Sequence, residues 1–513
     1  MRGTLKLGLQ DAIALGIENN LEVEISRFDP PIARFEHSAA WGAFDPNLSS
    51  SFGYRSTRTP VANPLVSGNI GGLIGGGSAL DLFKERILDG SASIRGLVPR
   101  LGWQYDVTYT GQDSTTTSQF QLLQPEFRTS LTGTATMPLL KGFLWGEPWV
   151  RVQTTGIGTG IARAKFIQQL MDTVRNIEGS YWNLAARKQD LAVALKSEET
   201  SRALLDQTRA QYQVGVVSKV EVVEAEAGLA DREFQVITAR NVFRRAQDVL
   251  LQLIFGAYFS ADTSLEIVPT DRPEEYIVYD LAESEAAHKA FTLRPELTIA
   301  RRQVDQQAIQ LKFARNQRLP QIDLSASYGF RGLSGKAALF DAMGNPIPTP
   351  NNAGVKRDYF DSHDDFFRYD NRTWSAGVLM SIPIPNTSGR ANVLKSRLDL
   401  RRSQTNVKRL EQRIILEVRN AIRNLRSALE GIAAAERGVE SASEQLRAEQ
   451  IRLEHGESTP FDVLLREQDA TAAERKRITA YQVYHDSVAA LDRAQGTILR
   501  DRNVVVEDAL PLR

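Results

Sequence analysis

What most constrains this chain is a short turn that occurs twice between very long helical patterns. Tyr212-Gln213-Val214-Gly215-Val216-Val217-Ser218-Lys219-Val220-Glu221 has a counterpart in Leu453-Glu454-His455-Gly456-Glu457-Ser458-Thr459-Pro460-Phe461-Asp462, at a constant offset of 241 (456 − 215). Each carries a lone Gly, then two residues, a Ser or Thr, and an acid three residues further on. Gly suits the left-handed residue that closes a helix, and Ser218 or Thr459 can cap the next one. Pro460 fits the first position of a helix starting there. Each stretch predicts a tight turn joining two long antiparallel helices.

The helices on either side are unusually long. Ile167, Leu170, Val174, Ile177, Tyr181, Leu184, Leu191 and Leu195 recur in steps of three and four, interrupted only at Lys188, and Ile415, Val418, Ile422, Leu425, Leu429, Ile432 and Val439 repeat the pattern. A seven-residue spacing means coiled-coil packing. At 1.5 Å per residue, a helix of about 65 residues is on the order of 100 Å long. The returning helices, about Lys219–Phe255 and Pro460–Leu499, are shorter, and helices at 9–44 and 283–316 can make up the difference.

Other stretches recur as well. Glu22–Arg27 matches Glu296–Arg301, Pro46-Asn47-Leu48 matches Pro320-Gln321-Ile322, and Thr136-Met137-Pro138 matches Ser381-Ile382-Pro383. The chain therefore reads as two structural repeats, 1–265 and 283–500, joined by a linking segment at 266–282 and followed by a tail at 501–513. The first holds helices at 9–44, strands within 46–140 and a helical hairpin at 150–255 with its tip at 215–219. The second holds a helix at 283–316, strands at 321–332 and 372–384, and a hairpin at 387–499 with its tip at 456–460. Asp29-Pro30-Pro31 should break the first helix, whereas Val304-Asp305 lets its counterpart run to about Asn316.

After Pro46 the period changes to strict alternation, with Leu48, Ser50, Phe52 and Tyr54 on one side and Ser49, Ser51 and Gly53 on the other. Similar runs follow at 103–110, 129–138, 322–330 and 373–383. Their length of about ten residues suits a tilted transmembrane strand, though a soluble sheet alternates in the same way. Four strands are clear, and the region 90–112 leaves room for one more hairpin. No run approaches the roughly 18 apolar residues of a membrane helix. Such a chain could cross a bilayer only as a closed barrel, and four strands cannot close one, so several copies would share it; three would give twelve strands.

Composition excludes other classes. With 62 basic and 62 acidic residues the net charge is zero, against a nucleic-acid partner, and the absence of cysteine removes disulfides and thiolate chemistry. His37, His288, His363, His455 and His485 have no metal-binding spacing, no nucleophile motif occurs, and neither an enzyme nor a cofactor is expected. Asp358, Asp361, Asp364 and Asp365 beside His363 read as a solvated loop rather than a cation site. The glycines from Gly68 to Gly77 lack the Lys-Ser/Thr of a phosphate cradle. Met1–Gly8 has no export-signal core, so for an exported protein the signal is expected to be missing from this sequence. Trp145 and Trp149 fit either an interfacial aromatic belt or core packing.

Taken together, the duplicated helix–strand–helix order, the Asp45-Pro46 and Leu319-Pro320 strand entries, the Pro138 and Pro383 exits and the two turns resemble the TolC-like outer membrane efflux protein family. The resemblance covers nearly the whole chain. It implies a mainly α fold with a transmembrane β part: a long antiparallel coiled-coil helical barrel joined to a shared trimeric β-barrel of about four strands per protomer. It implies a homotrimer in the outer membrane of a Gram-negative-type bacterium, in contact with outer-membrane lipid, with its helical tunnel in the periplasm. The duct would passively conduct cargo for a tripartite efflux or type I secretion system. A periplasmic adaptor and an inner-membrane transporter would dock on the tips, Gly215, Val216, Val217, Ser218 and Gly456, Glu457, Ser458, Thr459. The family's gate acids fall on Glu221 and Asp462, while Leu465, Ser458 and Leu453 stand where a further acid, an arginine and a tyrosine are expected. Copies of Glu221 and Asp462 around an axis would form an anionic ring, although an acid in a helix's first turn is favourable anyway. A coiled-coil scaffold with β-domains and no transport role is the competing reading.

Overall fold

The computed structural model describes residues 2–60, 82–117, 121, 123–260, 264–279, 282–337, 339–340, 346–347, 358–364, 366 and 371–505. Two compact units divide the chain: Met1–Arg34, Ile157–Val304 and Arg402–Arg513 form one, Phe35–Gly156 and Asp305–Arg401 the other.

In the first, mainly helical unit, the seams predicted from the seven-residue spacing are the core. Leu170, Val174, Ile177, Tyr181 and Leu184 of α4 (Glu147–Gln213) are buried with Phe243, Leu250 and Ile254 of α5 (Lys219–Phe255). Ala12 and Ile13 of α1 (Leu9–Asn19) and Val23 of α2 (Leu21–Arg27) complete this cluster. Gly16 lets α1 approach, since a Cβ there would lie 2.3 Å from Ile177 Cδ1. The matching cluster takes Ile414, Val418, Ile422, Leu425 and Ile432 from α8 (Thr387–Glu454) and Tyr481, Tyr484 and Leu491 from α9 (Pro460–Gln495). Ala286 and Ala290 of α6 (Glu283–Leu293) and Leu297 of α7 (Pro295–Gln317) seal it. Each such aliphatic side chain stabilises the fold by about 1.5–3 kcal/mol. The second seam starts at Ile414 rather than Ile415, and Leu195, expected in the first, is exposed.

Breaks in the helices follow local chemistry. Asn20 separates α1 from α2 and accepts from the Glu22 and Val23 amides at 2.9 and 3.2 Å, while α3 (Asp29–Trp41) restarts at the expected prolines. The helix expected at 283–316 is instead divided at Arg294, which adopts the extended backbone favoured before a proline. Arg294 also joins an ion-pair chain: it meets Glu296 at 3.1 Å, and Glu296 meets Arg493, which reaches Asp172 at 2.6 Å. Burial alone would raise the Glu296 carboxyl, but the bonds from Arg294 and Arg493 draw it down to about 2. One pairing was not foreseen: β1 (Arg2–Leu7) runs parallel to β6 (Ser264–Pro269), which straddles the end of the first repeat and the start of the stretch read as a linking segment. The short α10 (Ile498–Asp501) leads to Arg502, which holds the buried Glu178 at 2.6 Å.

The second unit contains an antiparallel sheet ordered β10-β7-β5-β4-β3-β2. Its strands are β2 (Asn47–Pro60), β3 (Leu82–Leu97), β4 (Gln104–Thr116), β5 (Leu123–Pro138), β7 (Gln321–Ala337) and β10 (Arg372–Ser381), with the small pair β8 (Leu339–Phe340) and β9 (Pro346–Ile347) apart. Six strands replace the four expected, because β3 and β4 add a full hairpin. Alternation sorts the faces by the registers. Leu48, Phe52 and Tyr54 share one face with Leu88, Ile94, Val107, Tyr109, Leu131, Tyr328 and Trp374. The other is rich in hydroxyls, where Ser49 bonds Ser93 at 2.7 Å, Thr110 bonds Ser130 at 2.6 Å and Ser327 bonds Ser375 at 2.8 Å, with the Arg95–Asp106 ion pair among them.

A turn at Phe360–His363 folds onto the apolar face, where Tyr109 OH bonds Tyr359 OH and His363 Nε2, both at 2.7 Å. His363 is thus engaged in packing, and among the described residues no cluster of acids and histidines is placed to hold a metal. Asp365 and Gly68–Gly77 lie outside the described residues. Trp149 stacks edge-on against Trp41 at 5.8 Å, and Lys312 lies 5.7 Å over the Trp145 ring, so both tryptophans pack against helices of their own unit. Among the described residues no helix is long and apolar enough to cross a membrane.

Candidate site at the two helical turns

The two turns are built alike, bond for bond. Where α4 ends, Gly215 at φ +81° lets its N–H reach Tyr212 O at 3.0 Å and the Val216 N–H reach Gln211 O at 2.9 Å. Where α8 ends, Gly456 at φ +73° places its N–H 3.1 Å from Leu453 O and the Glu457 N–H 2.8 Å from Arg452 O. This pair of bonds satisfies carbonyls that a helix end leaves unmet, and it needs a left-handed residue that only Gly adopts without strain. Each following helix then opens with a capping box. The Glu221 amide donates to Ser218 Oγ and the Ser218 amide to Glu221 Oε1, both at 3.4 Å. The Asp462 amide donates to Thr459 Oγ1 and the Thr459 amide to Asp462 Oδ2, both at 3.3 Å.

Both candidate gate acids are therefore engaged in holding their own turns. The bonds from Thr459, first its hydroxyl at 2.6 Å and then its amide, with Arg466 adding charge, hold the Asp462 carboxyl below its usual value. Among the described residues, no hydrogen bond or ion pair links Glu221 to Asp462 or one turn to the other. Gly215, Val216, Gly456 and Glu457 are exposed, while Val217 and Glu221 are half-buried. Of the positions that depart from the family's gate, Ser458 donates to Glu449 Oε1 at 2.5 Å, and Leu465 is exposed.

What joins the hairpins lies along α5 and α9, beyond the turns. Leu464 fits over Gly228, where a Cβ would come within 2.9 Å of it. Further along, Arg232 Nε meets Glu467 Oε2 at 3.2 Å, with only 6% and 7% of the two side chains exposed. Ser197 of α4 donates to Glu467 Oε1, as does Thr471 at 3.3 Å. Arg475 then donates to Gln235 at 3.2 Å. This seam was missed because its members are 235 residues apart, but one signal was present. Pro460, Val463 and Glu467 are buried in steps of three and four, so the acid stands where the spacing calls for an apolar residue.

Long helical hairpins together with an open six-stranded sheet define a known class of fold. The structure is similar to the outer-membrane channel OprN, with TM-score 0.63, 15% identity, and 95% of this chain and 90% of that one covered. It is similar to the CmeC outer membrane channel of Campylobacter jejuni, with TM-score 0.61, 15% identity, and 96% and 86% covered. Against CusC the TM-score is 0.64 at 14% identity, with 95% and 92% covered. A search of curated proteins found no match. Residues 94–254 and 286–497 match the model of the outer membrane efflux protein family, and the chain belongs to that family. Its members are channels of the outer membrane rather than enzymes.

Proposed function

We propose that this chain is one protomer of a homotrimeric exit duct, in which the sheet lies in the outer membrane and the helical hairpins stand in the periplasm. The duct passively conducts cargo handed over by an inner-membrane transporter through a periplasmic adaptor, in efflux or type I secretion. The observation that carries this reading is the sorting of the sheet into an apolar and a hydroxyl-rich face, in a chain where no helix among the described residues is long and apolar enough to cross a membrane. A sheet of that kind suits lipid on one side and a water-filled bore on the other. The duplicated halves are inferred to be structural repeats, supported by outgoing helices of 67 and 68 residues and returning helices of 37 and 36.

Within this duct the two turns are the docking tips, and Glu221 and Asp462 line the constriction. Repeated around an axis, their carboxylates favour cations, as acidic rings do in cation-selective pores. The experiment is direct: the protein is extracted from membranes, its migration as a heat-sensitive trimer is followed, and its conductance is recorded in planar bilayers. Asp462→Ala should change conductance and block by divalent cations. An unchanged record sinks the acidic constriction, and a protein that is monomeric without detergent sinks the duct.

A further inference from the structure

The six-stranded sheet ends in β2 and β10, whose outer edges have no strand partner among the described residues. Leu48, Phe52 and Tyr54 on β2 and Trp374, Val378 and Met380 on β10 are all more than half exposed. An open edge bordering an apolar face is incompatible with lipid, which offers nothing to hydrogen-bond. Nor can one copy close on itself, since about eight strands make the smallest usual barrel. All neighbours in the sheet are antiparallel and the strands are even in number, so β2 and β10 run in opposite directions. A second copy placed alongside therefore continues the same up-and-down order.

We infer that β2 of one copy pairs with β10 of the next, and that three copies of this six-stranded sheet close a barrel of eighteen strands. The inference rests on the trimeric duct proposed above and departs from the twelve strands that four per copy would supply. The difference is the β3–β4 hairpin, Leu82–Thr116, inserted between β2 and β5. With strands roughly 4.8 Å apart and tilted by about 40°, eighteen give a wall about 36 Å across and twelve about 24 Å. Barrels of this larger size leave an aqueous channel, whereas small ones are filled by side chains.

The register follows from the repeat. Within one copy Leu131 of β5 pairs with Phe330 of β7, and Pro138 with Asp323. Carrying β5 onto β10 by the offset of 245 (383 − 138) and β7 onto β2 by 274 (320 − 46) sets Met380 opposite Phe52 and Val378 opposite Tyr54. The same shift sets Ser375 opposite Thr57. Apolar residues thus meet apolar ones on one face, whereas a slip of a single residue would invert every side chain.

Because the chain contains no cysteine, the pairing can be trapped cleanly. The full-length protein carrying Thr57→Cys and Ser375→Cys is oxidised in membranes and run on denaturing gels. A covalent trimer is expected from the double variant, with none from either single variant or from Thr57→Cys with Ser381→Cys. In parallel, a reconstruction of the unmodified trimer in lipid discs should show eighteen strands in cross-section. A trimer without the cross-link, or one with twelve strands and residues 82–116 outside the wall, overturns the inference and leaves the duct intact. Absence of any membrane trimer overturns both.

Discussion

At the first turn the side chains around Gly215 are valines: Val214, Val216, Val220 and Val223 are all more than half exposed. The same four places at the second turn hold His455, Glu457, Phe461 and Leu464. There the surface is tied down, with His455 Nδ1 bonded to Ile451 O at 2.8 Å and Glu449 meeting both Ser458 and Arg452. Yet the backbones close with the same bonds. The comparison separates two requirements: Gly, a hydroxyl and an acid fix the geometry, and the positions between them are left free. On the proposed reading, the first turn spends that freedom on an apolar patch for a partner, and the second on a polar network of its own.

The sharpest way to break this comparison is to remove what both hairpins share. Glu467→Ala takes from Arg232 its buried partner and leaves it only the exposed Asp231 at 3.1 Å, a change that costs up to about 3–5 kcal/mol. Amide exchange should quicken at both turns together, and loosening confined to α9 would show that the seam does not bind the hairpins into one body. Next in size are Gly215→Ala and Gly456→Ala. Each forces a side chain into the left-handed region at about 1–2 kcal/mol, and since φ is nearly equal at +81° and +73° the two losses should match. Unequal melting of the two variants would mean that the neighbouring side chains, and not the backbone, hold one of the turns.

Cap removal comes third. Ser218→Ala and Thr459→Ala should each cost about 1 kcal/mol, read as faster exchange at the first turn of α5 or α9. The second turn should also respond to pH. The Asp462 carboxyl is held below its ordinary 3.8, so its contribution is complete above that value and is lost as pH falls through the lowered one. Protection at the second turn should therefore stay level from neutral pH to about 5 and fall away in acid, and Thr459→Ala should shift that fall to higher pH. The smallest effect on stability is expected from Val216→Ser, an exposed change that leaves melting unaltered. On the proposed reading it should nonetheless weaken adaptor binding more than Glu457→Ser does, and equal weakening would remove the division of labour between the tips.

How far these features could be read in the sequence depended on distance along the chain. Gly215, Ser218 and Glu221 act on neighbours a few residues away, so spacing alone located both turns and their caps. The buried seams were legible because Leu170 to Leu184 and Val418 to Ile432 repeat one period on a single helix. The β3–β4 hairpin was only half visible, since Lys84, Glu85 and Arg86 interrupt the alternation of β3 with charge. The β1–β6 ladder and the Arg232–Glu467 pair could not be found in this way. They join residues more than two hundred positions apart, and nothing local to either partner names the other.

The hydroxyl face of the sheet has a consequence for cargo. Ser49 with Ser93, Ser51 with Ser91, Thr110 with Ser130 and Ser327 with Ser375 satisfy one another in pairs. Charge is interleaved with them: Arg331 continues the row of Ser51, Ser91, Thr110 and Ser130, and the Arg95–Asp106 ion pair lies in the row of Ser327 and Ser375. If this face lines the proposed bore, it wets readily and meets cargo with hydroxyls and with charges of both signs. On the proposed reading, any net preference by sign rests with Glu221 and Asp462 at the turns.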